Sequence, residues 1–309
     1  MFWLVVTILA YFILALAFLV DKYLLVSSIP NPKVYVFYAG ALGGLALFLI
    51  PFVGFSVPLP NQIILSLLAG AFFLIGIYWF YKTLQKYEAS RVIPAIGGMT
   101  PIFSFLAIFI SSQGKETLSS FDFLALIFLV VGTVLITFEN GKGITLKSLS
   151  GSFVSAFFLS ISFVLIKHVY LVMAFWPGFI WTKIGSFLAA ICFFIFFSEV
   201  RREVLSGKKE SVPRKTSVIF LSNQAMGGLA NVMQNWALFL APLAFVSVIN
   251  ALQGVQYVFL LCLIIFISFF FPALAEKGGL KEYMSKPVLF QKVAAIILIG
   301  IGLFLIVFL

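Results

Sequence analysis

The chain has 309 residues, of which 63% are hydrophobic and only 10% are charged, and its formal net charge is +10. This composition excludes a soluble globular protein, because such proteins contain about 25% charged residues. The sequence therefore predicts an integral membrane protein, in which the positive charge reports membrane topology and not a nucleic-acid partner.

Apolar stretches long enough to cross a bilayer recur from one end of the chain to the other. A hydrocarbon core of about 30 Å requires about 20 helical residues. Because backbone polar groups in lipid must bond within their own helix, we expect an all-α polytopic membrane protein with ten transmembrane helices. In chain order the predicted helices cover residues 2–26, 33–53, 61–84, 88–111, 121–138, 150–173, 176–200, 216–240, 243–270 and 288–309.

Lysine and arginine are concentrated in alternate connections between the predicted helices. The odd-numbered connections hold 17 of the 20 basic residues, whereas the even-numbered ones hold only Lys115 and Lys167. Lys183 is the one basic residue well inside an apolar stretch. Because basic connections remain in the cytoplasm, we predict a multi-pass protein of the cell (inner) membrane with both termini on the extracytoplasmic side.

The chain resembles itself at nearly constant offsets, which indicates two copies of one unit. The offsets of 155 and 145 residues pair 88–104 with 243–259, Gly76 with Asn231, Pro32 with Pro177 and Gly40 with Gly185. Five helices is an odd number, so the second copy must enter the membrane from the opposite side. Equivalent connections carry opposite charge bias, as this requires. We therefore predict two inverted five-helix repeats, 1–140 and 150–309.

Several short motifs in both copies carry a resemblance to a known family. They are the turn Lys82 to Val92, Pro94, the run Met99-Thr100-Pro101-Ile102-Phe103, and, in the second copy, 241–244 and 256–259. The chain resembles the ten-helix, EamA-like branch of the drug/metabolite transporter superfamily, although Gln256 stands where that family has a proline. The resemblance implies transport of a small solute. It also implies two cytoplasmic termini, opposite to the charge count.

Amide side chains are unusually frequent on the eighth and ninth predicted helices. At 100° per residue, the polar residues of each helix fall within an arc of about 120°. The two sets are Asn223, Gln224, Asn231, Gln234 and Asn235 with Gly227, and Ser247, Asn250, Gln253 and Tyr257 with Gly254. Such amides can join helices by hydrogen bonds of about 0.6 kcal/mol each. They can equally line a cavity for sugars, nucleosides, amino-acid backbones or other polar metabolites.

The equivalent faces of the first copy differ in character. They contain Gly76, Tyr78, Trp79 and Tyr81 on the third helix, and Pro94, Gly97, Gly98, Thr100, Pro101 and Ser104 on the fourth. Glycine and proline also serve close packing and kinks in such helices. As a binding surface, Tyr78, Trp79 and Thr100 predict an aromatic wall opposite the amides, which suits an amphipathic or ring-bearing solute.

Lys183 is a candidate site residue because ionisable groups inside a membrane are usually functional. The family resemblance implies that it contacts an anionic group of the solute. The alternative is that its side chain extends to the interface, about 10 Å away by helix rise. His168, beside Lys167, is predicted to be an interfacial residue.

The acidic residues Asp21, Glu88, Asp122, Glu139 and Glu199 all lie at predicted helix ends. Proton-driven transport through a buried acid is therefore not expected. Cys192 and Cys262 lie in apolar runs, which predicts small buried residues and neither a disulfide nor a metal site.

No motif of a serine protease, metalloprotease or phosphate-binding loop occurs in the chain, so we predict no enzymatic activity and no cofactor. The function predicted is secondary transport of a small polar or amphipathic metabolite or drug by alternating access through a midplane cavity. The expected partners are the solute and membrane lipid, and the chain acts as a monomer or a homodimer. A non-transporting membrane scaffold or assembly protein is the alternative, but it would need no polar midplane.

Overall fold

The computed structural model describes residues 1–24, 32–87, 89–138, 146–205, 214–272 and 286–308. All regular secondary structure in these ranges is helical. The α-helices are α1 (Phe2–Leu24), α2 (Pro32–Gly43), α3 (Ile50–Val53), α4 (Pro60–Lys86), α5 (Ala89–Ser111), α6 (Ser120–Thr137), α7 (Leu146–Val172), α8 (Phe175–Phe196), α9 (Ser198–Leu205), α10 (Arg214–Leu240), α11 (Val246–Ala251), α12 (Gln253–Phe270) and α13 (Lys286–Phe308).

Nine segments of the described chain are long and apolar enough to cross a membrane. They include Pro32–Val53, in which α2 continues through a short 3-10 turn into α3, and Leu243–Phe270, which contains α11 and α12. The chain is therefore an all-α, multi-pass membrane protein. α10 is 27 residues long, about 40 Å by helix rise, but its amides make it the most polar of the long helices. Its membrane crossing stays a prediction.

Large apolar side chains cover the outer surface of the bundle. Phe52, Phe196 and Phe269 are 85%, 78% and 79% exposed, an exposure that only a lipid environment makes favourable. Cys192 and Cys262 are also exposed and free, so the prediction that they are buried was wrong. Both lie on outward faces of apolar helices, and hydropathy alone does not distinguish a lipid-facing position from a buried one.

Apart from the short α3, each helix of the first half of the chain packs chiefly against helices of the second half. α1 packs along α10 and α12, whereas α7 packs along α4 and α5. The pairs α2 with α8, α5 with α11, and α6 with α13 also pack closely. The core lies along these contacts, around residues such as Leu129, Ile249 and Leu252, which are fully buried.

Glycines allow α2, α4 and α8 to approach one another closely. A Cβ atom on Gly70 of α4 would collide with the backbone of α8 at Thr182, and one on Gly185 would collide with the backbone at Leu67. The hydroxyl of Ser186 donates to the carbonyl oxygen of Gly70 at 3.0 Å across the same crossing. Any side chain at Gly70 or Gly185 would push the two helices apart, so this close contact requires glycine at both positions.

The structure corrects the position of Lys167, which the sequence placed in a connection. Lys167 lies within α7, and its Nζ donates to the carbonyl oxygen of Phe239 at 3.1 Å. A cation there is favourable because α10 ends at Leu240, where the helix dipole is negative. Lys115 is thus the only basic residue left in the even-numbered connections. His168 also lies in α7, with its Nδ1 2.8 Å from the carbonyl oxygen of Val164.

Two acidic residues lie at helix ends as predicted. Asp122 lies in the first turn of α6, where its carboxylate accepts a hydrogen bond from the Ser119 hydroxyl at 2.7 Å. Glu199 lies in the first turn of α9 and forms an ion pair of 2.8 Å with Lys33. Glu88, Glu139 and the side chain of Asp21 lie outside the described residues.

Candidate functional site

Lys183 lies near the middle of α8, and its side chain is directed toward α10. Its Nζ donates to Oδ1 of Asn231 at 2.6 Å. Two aromatic rings flank the ammonium, with the ring centres of Phe73 and Phe179 at 5.8 and 5.2 Å. Amide oxygen and ring faces both stabilise a cation without neutralising it. The Nζ of Lys183 therefore lies among groups that stabilise an ammonium ion, and no described carboxylate lies within 4 Å of it.

A hydrogen-bonded chain extends from this lysine to α7. Asn235 donates through Nδ2 to the backbone carbonyl oxygen of Asn231 at 2.9 Å, and its own Oδ1 accepts from the Tyr170 hydroxyl at 2.9 Å. We call Lys183, Asn231, Asn235 and Tyr170 the Lys183 network. It joins α7, α8 and α10, three helices from the second half of the chain.

The direction of these hydrogen bonds determines what the network presents to a ligand. Oδ1 of Asn231 already accepts from Lys183, so the amide nitrogen of Asn231 is left as a donor. An ammonium has three donors, and Asn231 takes one of them. The hydrogen-bonding groups that remain at Lys183 and Asn231 are consequently N–H donors, which favour a ligand with anionic or other acceptor oxygens.

Long side chains bridge the space on this side of α10. The α10 backbone approaches α7 and α8 at few points, in contrast to its long contact with α1. Asn231, Asn235 and the carbonyl of Phe239 recur every four residues, so they lie on one face of α10. Their partners Lys183, Tyr170 and Lys167 come from α8 and α7.

A second polar cluster lies beside the first on α10, against α1 and α12. Gln234 lies beside the hydroxyl of Tyr11, which donates to the carbonyl oxygen of Ile249 at 2.9 Å. Gln253 donates to the hydroxyl of Tyr257 at 3.3 Å. The predicted amide stripe of α10 is thus divided between two surfaces, with Asn231 on one and Gln234 on the other.

The membrane segment Leu243–Phe270 is broken close to this second cluster. α11 ends at Ala251 and α12 begins at Gln253, and the amide of Val255 donates to the carbonyl oxygen of Leu252, as in a 3-10 turn. The Tyr11 hydroxyl occupies the carbonyl oxygen of Ile249, and the Thr133 hydroxyl donates to that of Ala251 at 3.2 Å. Broken helices of this kind supply polar groups at the middle of many transporters.

Other predicted site residues are satisfied within the helical packing. Asn250 is buried and donates to the Ser104 hydroxyl at 2.8 Å, so it joins α11 to α5. The hydroxyls of Ser247 and Thr100 donate to carbonyls of their own helical segments. These three side chains fit the role of interhelical or local hydrogen bonding that the sequence left open. Gln256 is 2% exposed, within the core.

The structure does not bring Tyr78 and Trp79 to the Lys183 network. Tyr78 packs against Phe193 and Phe197 near the end of α8, and Lys82 lies 4.1 Å from the ring centre of Trp79. The aromatic surroundings of Lys183 are instead formed by other rings on α4 and α8. Sequence analysis missed these rings because phenylalanine occurs throughout the chain.

Asn223 and Gln224 lie about two turns before the Lys183 network on α10. Asn223 is buried and Gln224 is partly buried. Beyond them, Cβ atoms added at Gly227 or Gly228 would meet no described atom within 4 Å. This part of α10 therefore borders open space.

Two tyrosines of the site, Tyr11 and Tyr170, were absent from the predicted set. Each is buried and each donates to an amide or backbone oxygen of a remote helix. Their signal in the sequence is weak, because a single tyrosine in an apolar stretch is equally typical of an interfacial anchor. Within the described residues, no group of three histidine, cysteine or acidic side chains could hold a metal ion.

Neither a protein-family model nor a curated protein matches the sequence. Seventeen chains of solved structures match the protein. One of them, described only as "Crystal structure of protein", superposes on 97% of this chain and 94% of its own, with a TM-score of 0.60 and 16% sequence identity. At this identity the likeness shows a shared fold alone, and it extends over nearly all of both chains.

Proposed function

We propose that the protein is a secondary transporter that moves a small polar or amphipathic solute by alternating access through a cavity at the middle of the membrane. The observation that carries the proposal is the Lys183 network, in which a cation and two amides lie together among the helices. Ionisable groups in membrane proteins are costly and commonly mark solute pathways. A structural scaffold would need no such group.

The proposed architecture consists of two inverted five-helix repeats, with α10 as the tenth membrane span. In this correspondence α1 is equivalent to α7, and α4 is equivalent to α10. The pair α1–α10 then mirrors the pair α7–α4, and both pairs pack extensively. The pairs α1–α12 and α7–α5 mirror each other as well. Paired contacts support an inverted repeat because a pseudo-two-fold axis in the membrane plane requires them.

We assign the chain to the EamA-like branch of the drug/metabolite transporters on the motifs of the third-to-fourth turn and its equivalent in the second copy. The broken segment of α11 and α12 supports this assignment, since discontinuous helices accompany inverted repeats in other secondary transporters.

We propose that the solute carries an anionic or acceptor-rich group that binds between Lys183 and Asn231. The donors that remain at both residues support this choice. The rings of Phe73 and Phe179 beside the ammonium would contact an apolar or ring-bearing part of the same solute.

The proposal is tested by a thermal-shift screen of the purified protein against sugars, nucleosides, amino acids, organic phosphates and cationic drugs. A solute that binds the folded state raises the unfolding temperature, and at 100 times its dissociation constant it adds about 2.7 kcal/mol. Uptake of that solute into liposomes containing the protein then establishes transport. Failure of every class to bind or to enter liposomes would favour the scaffold alternative.

A further inference from the structure

The two halves of the bundle pack differently at one pair of equivalent contacts. α4 packs along α8 over much of its length. The equivalent pair in the inverted repeat is α10 with α2, and these two helices make no comparable contact in the described chain. The span Pro32–Val53 is also the least buried of the nine. The bundle is therefore closed between α4 and α8 and open between α2 and α10.

The residue types at these two contacts are also unequal. Gly70 and Gly185 meet at the closed contact, where a Cβ on Gly70 would collide with the carbonyl of Thr182. The repeat offsets of 155 and 145 give Ala225 and Gly40 as their equivalents. Ala225 therefore carries the methyl group that the closed contact excludes.

Resting on the transport mechanism proposed above, we infer that the difference between Gly70 and Ala225 biases the conformational equilibrium toward the state described here. In the opposite state α10 must pack on α2 as α4 now packs on α8. The methyl group of Ala225 then meets the backbone of α2 near Phe37, the equivalent of Thr182, and holds the two helices apart. The contact between α2 and α10 in the opposite state is consequently weaker than the contact between α4 and α8 in the state described here, because packing attraction falls steeply with separation.

The exposed surface of α10 carries a group of small residues between the larger Val218 and Leu229. Ser222, Ala225 and Gly228 are exposed, and a Cβ at Gly228 would meet no described atom within 4 Å. The inference requires that in the state described here this surface faces the open, aqueous side of the pathway. In the opposite state it is covered by α2. A thiol at position 228 therefore reports which state is populated.

The test uses a chain carrying Cys192→Ala, Cys262→Ala and Gly228→Cys, purified and reconstituted in liposomes with no solute added. The rate of reaction with a sulfonated, membrane-impermeant maleimide is measured. We expect the thiol to react, and we expect Ala225→Gly to slow the reaction about fivefold, because the opposite state gains a closer contact. The matched control is Gly300→Ala on α13, where an added Cβ also meets no described atom within 4 Å, and which leaves the rate unchanged.

Two results would overturn the inference. A thiol at position 228 that does not react would mean that this face of α10 lies in lipid. Equal rates with Ala225 and with glycine at that position would mean that the methyl group does not bias the equilibrium. Local loosening of α10 cannot produce the expected result. Glycine at position 225 weakens the helix, and this would expose the thiol and raise the reaction rate, not lower it. Gly70→Ala should also slow the reaction, because its methyl group would disturb the contact between α4 and α8. Ala225→Gly decides the test, because it removes a methyl group and introduces no collision in the state described here.

The result is independent of the search for a solute. If the rates change as expected and no solute binds or is transported, the conformational inference stands and the transport proposal fails. If a solute is transported and the rates are equal, transport stands and the role of Ala225 is rejected.

Discussion

Two lysines of the second half of the chain lie within the helical bundle, but their partners differ in kind. Lys167 donates to the backbone carbonyl of Phe239, which the fold holds in place at the end of α10. Lys183 donates to the side-chain amide of Asn231, which rotates about its own bonds. A ligand can therefore displace the partner of Lys183 but not that of Lys167. For this reason Lys183, and not Lys167, is the lysine that we propose to bind the solute.

Two substitutions at Lys183 distinguish the contribution of its charge to solute binding from the contribution of its shape. Lys183→Gln is expected to weaken binding of an anionic solute at least tenfold, which corresponds to about 1.4 kcal/mol. Lys183→Arg keeps the charge and should retain part of the affinity. Binding is measured by titration of the purified variants with a solute found in the thermal-shift screen. Equal affinities in all three proteins would remove the case for an anionic group.

Asn231 and Asn250 form a matched pair for distinguishing ligand contact from helix packing. Asn231→Leu removes a donor from the Lys183 network, so solute transport per folded molecule should fall about tenfold. Asn250→Leu removes the bond to Ser104, so stability should fall by about 1 kcal/mol while transport per folded molecule is kept. Transport is measured in liposomes against the amount of folded protein. If both variants transport as well as the parent protein, the proposed site is refuted.

Gln234 and Gln253 extend the same comparison to the second polar cluster. The sequence grouped them with Asn231 as one amide surface, and they remain candidate solute contacts. Their neighbours Tyr11 and Tyr257 come from α1 and α12, so a solute that reached them would bridge both halves of the chain.

At the scale of the helices, α7 and α10 are joined by polar side chains across a wide separation. Among the described residues, the Tyr170 hydroxyl is the donor to Oδ1 of Asn235, and both side chains are buried. An oxygen left without a donor at such a position costs more than the bond itself contributes.

Tyr170→Phe is therefore expected to lower the free energy of unfolding by about 1–2 kcal/mol. The measurement is thermal unfolding of the purified protein in detergent. Tyr38→Phe is the control, because Tyr38 is 49% exposed on α2, and it should leave the unfolding temperature unchanged. Equal unfolding temperatures for both variants would show that Tyr170 does not hold α10.

Hydropathy located the long helices because each one must cover its backbone with apolar side chains in lipid. The break between α11 and α12 could not be predicted in the same way. The surrounding run, Val246 to Phe270, contains no proline, and its freed carbonyls are satisfied by Tyr11 and Thr133 from helices far away in the sequence.

The sequence predicted only part of the candidate site, because contacts between distant helices cannot be derived from it. Asn231 and Lys183 carry polar groups in apolar surroundings, so both were recognisable from the sequence. Tyr78 and Trp79 were placed opposite them because they lie on the equivalent face of the first copy, and this correspondence does not give the height of a side chain in the bundle. The structure shows them packed with other partners near the end of α8.

At the scale of the whole molecule, the distribution of charge predicts orientation in the membrane. Counted together with the ends of the adjoining helices, the odd-numbered connections hold 17 basic residues. On the same count the even-numbered connections hold Lys115 and Lys167, and Lys167 lies inside α7. This bias predicts cytoplasmic odd connections, whereas the family resemblance implies the reverse.

Cysteines introduced at Gly207 and Gly278, in two basic connections, decide between these orientations. Both positions lie outside the described residues, so the prediction depends on sequence alone. In a chain without Cys192 and Cys262, we expect both thiols to be shielded from an impermeant reagent in intact cells and to react after lysis. Labelling before lysis would reverse the orientation and leave the inverted repeat unaffected.

The Lys183 network also restricts how the sequence can diverge. Tyr170 and Lys183 are donors at its two ends, so the two asparagines between them must each present an oxygen outward to its partner. A substitution at one end leaves the neighbouring amide with an unmet acceptor until a second substitution follows. We therefore expect these four positions to covary as a set among homologous sequences, and a change of solute to be accompanied by exchanges on three helices at once.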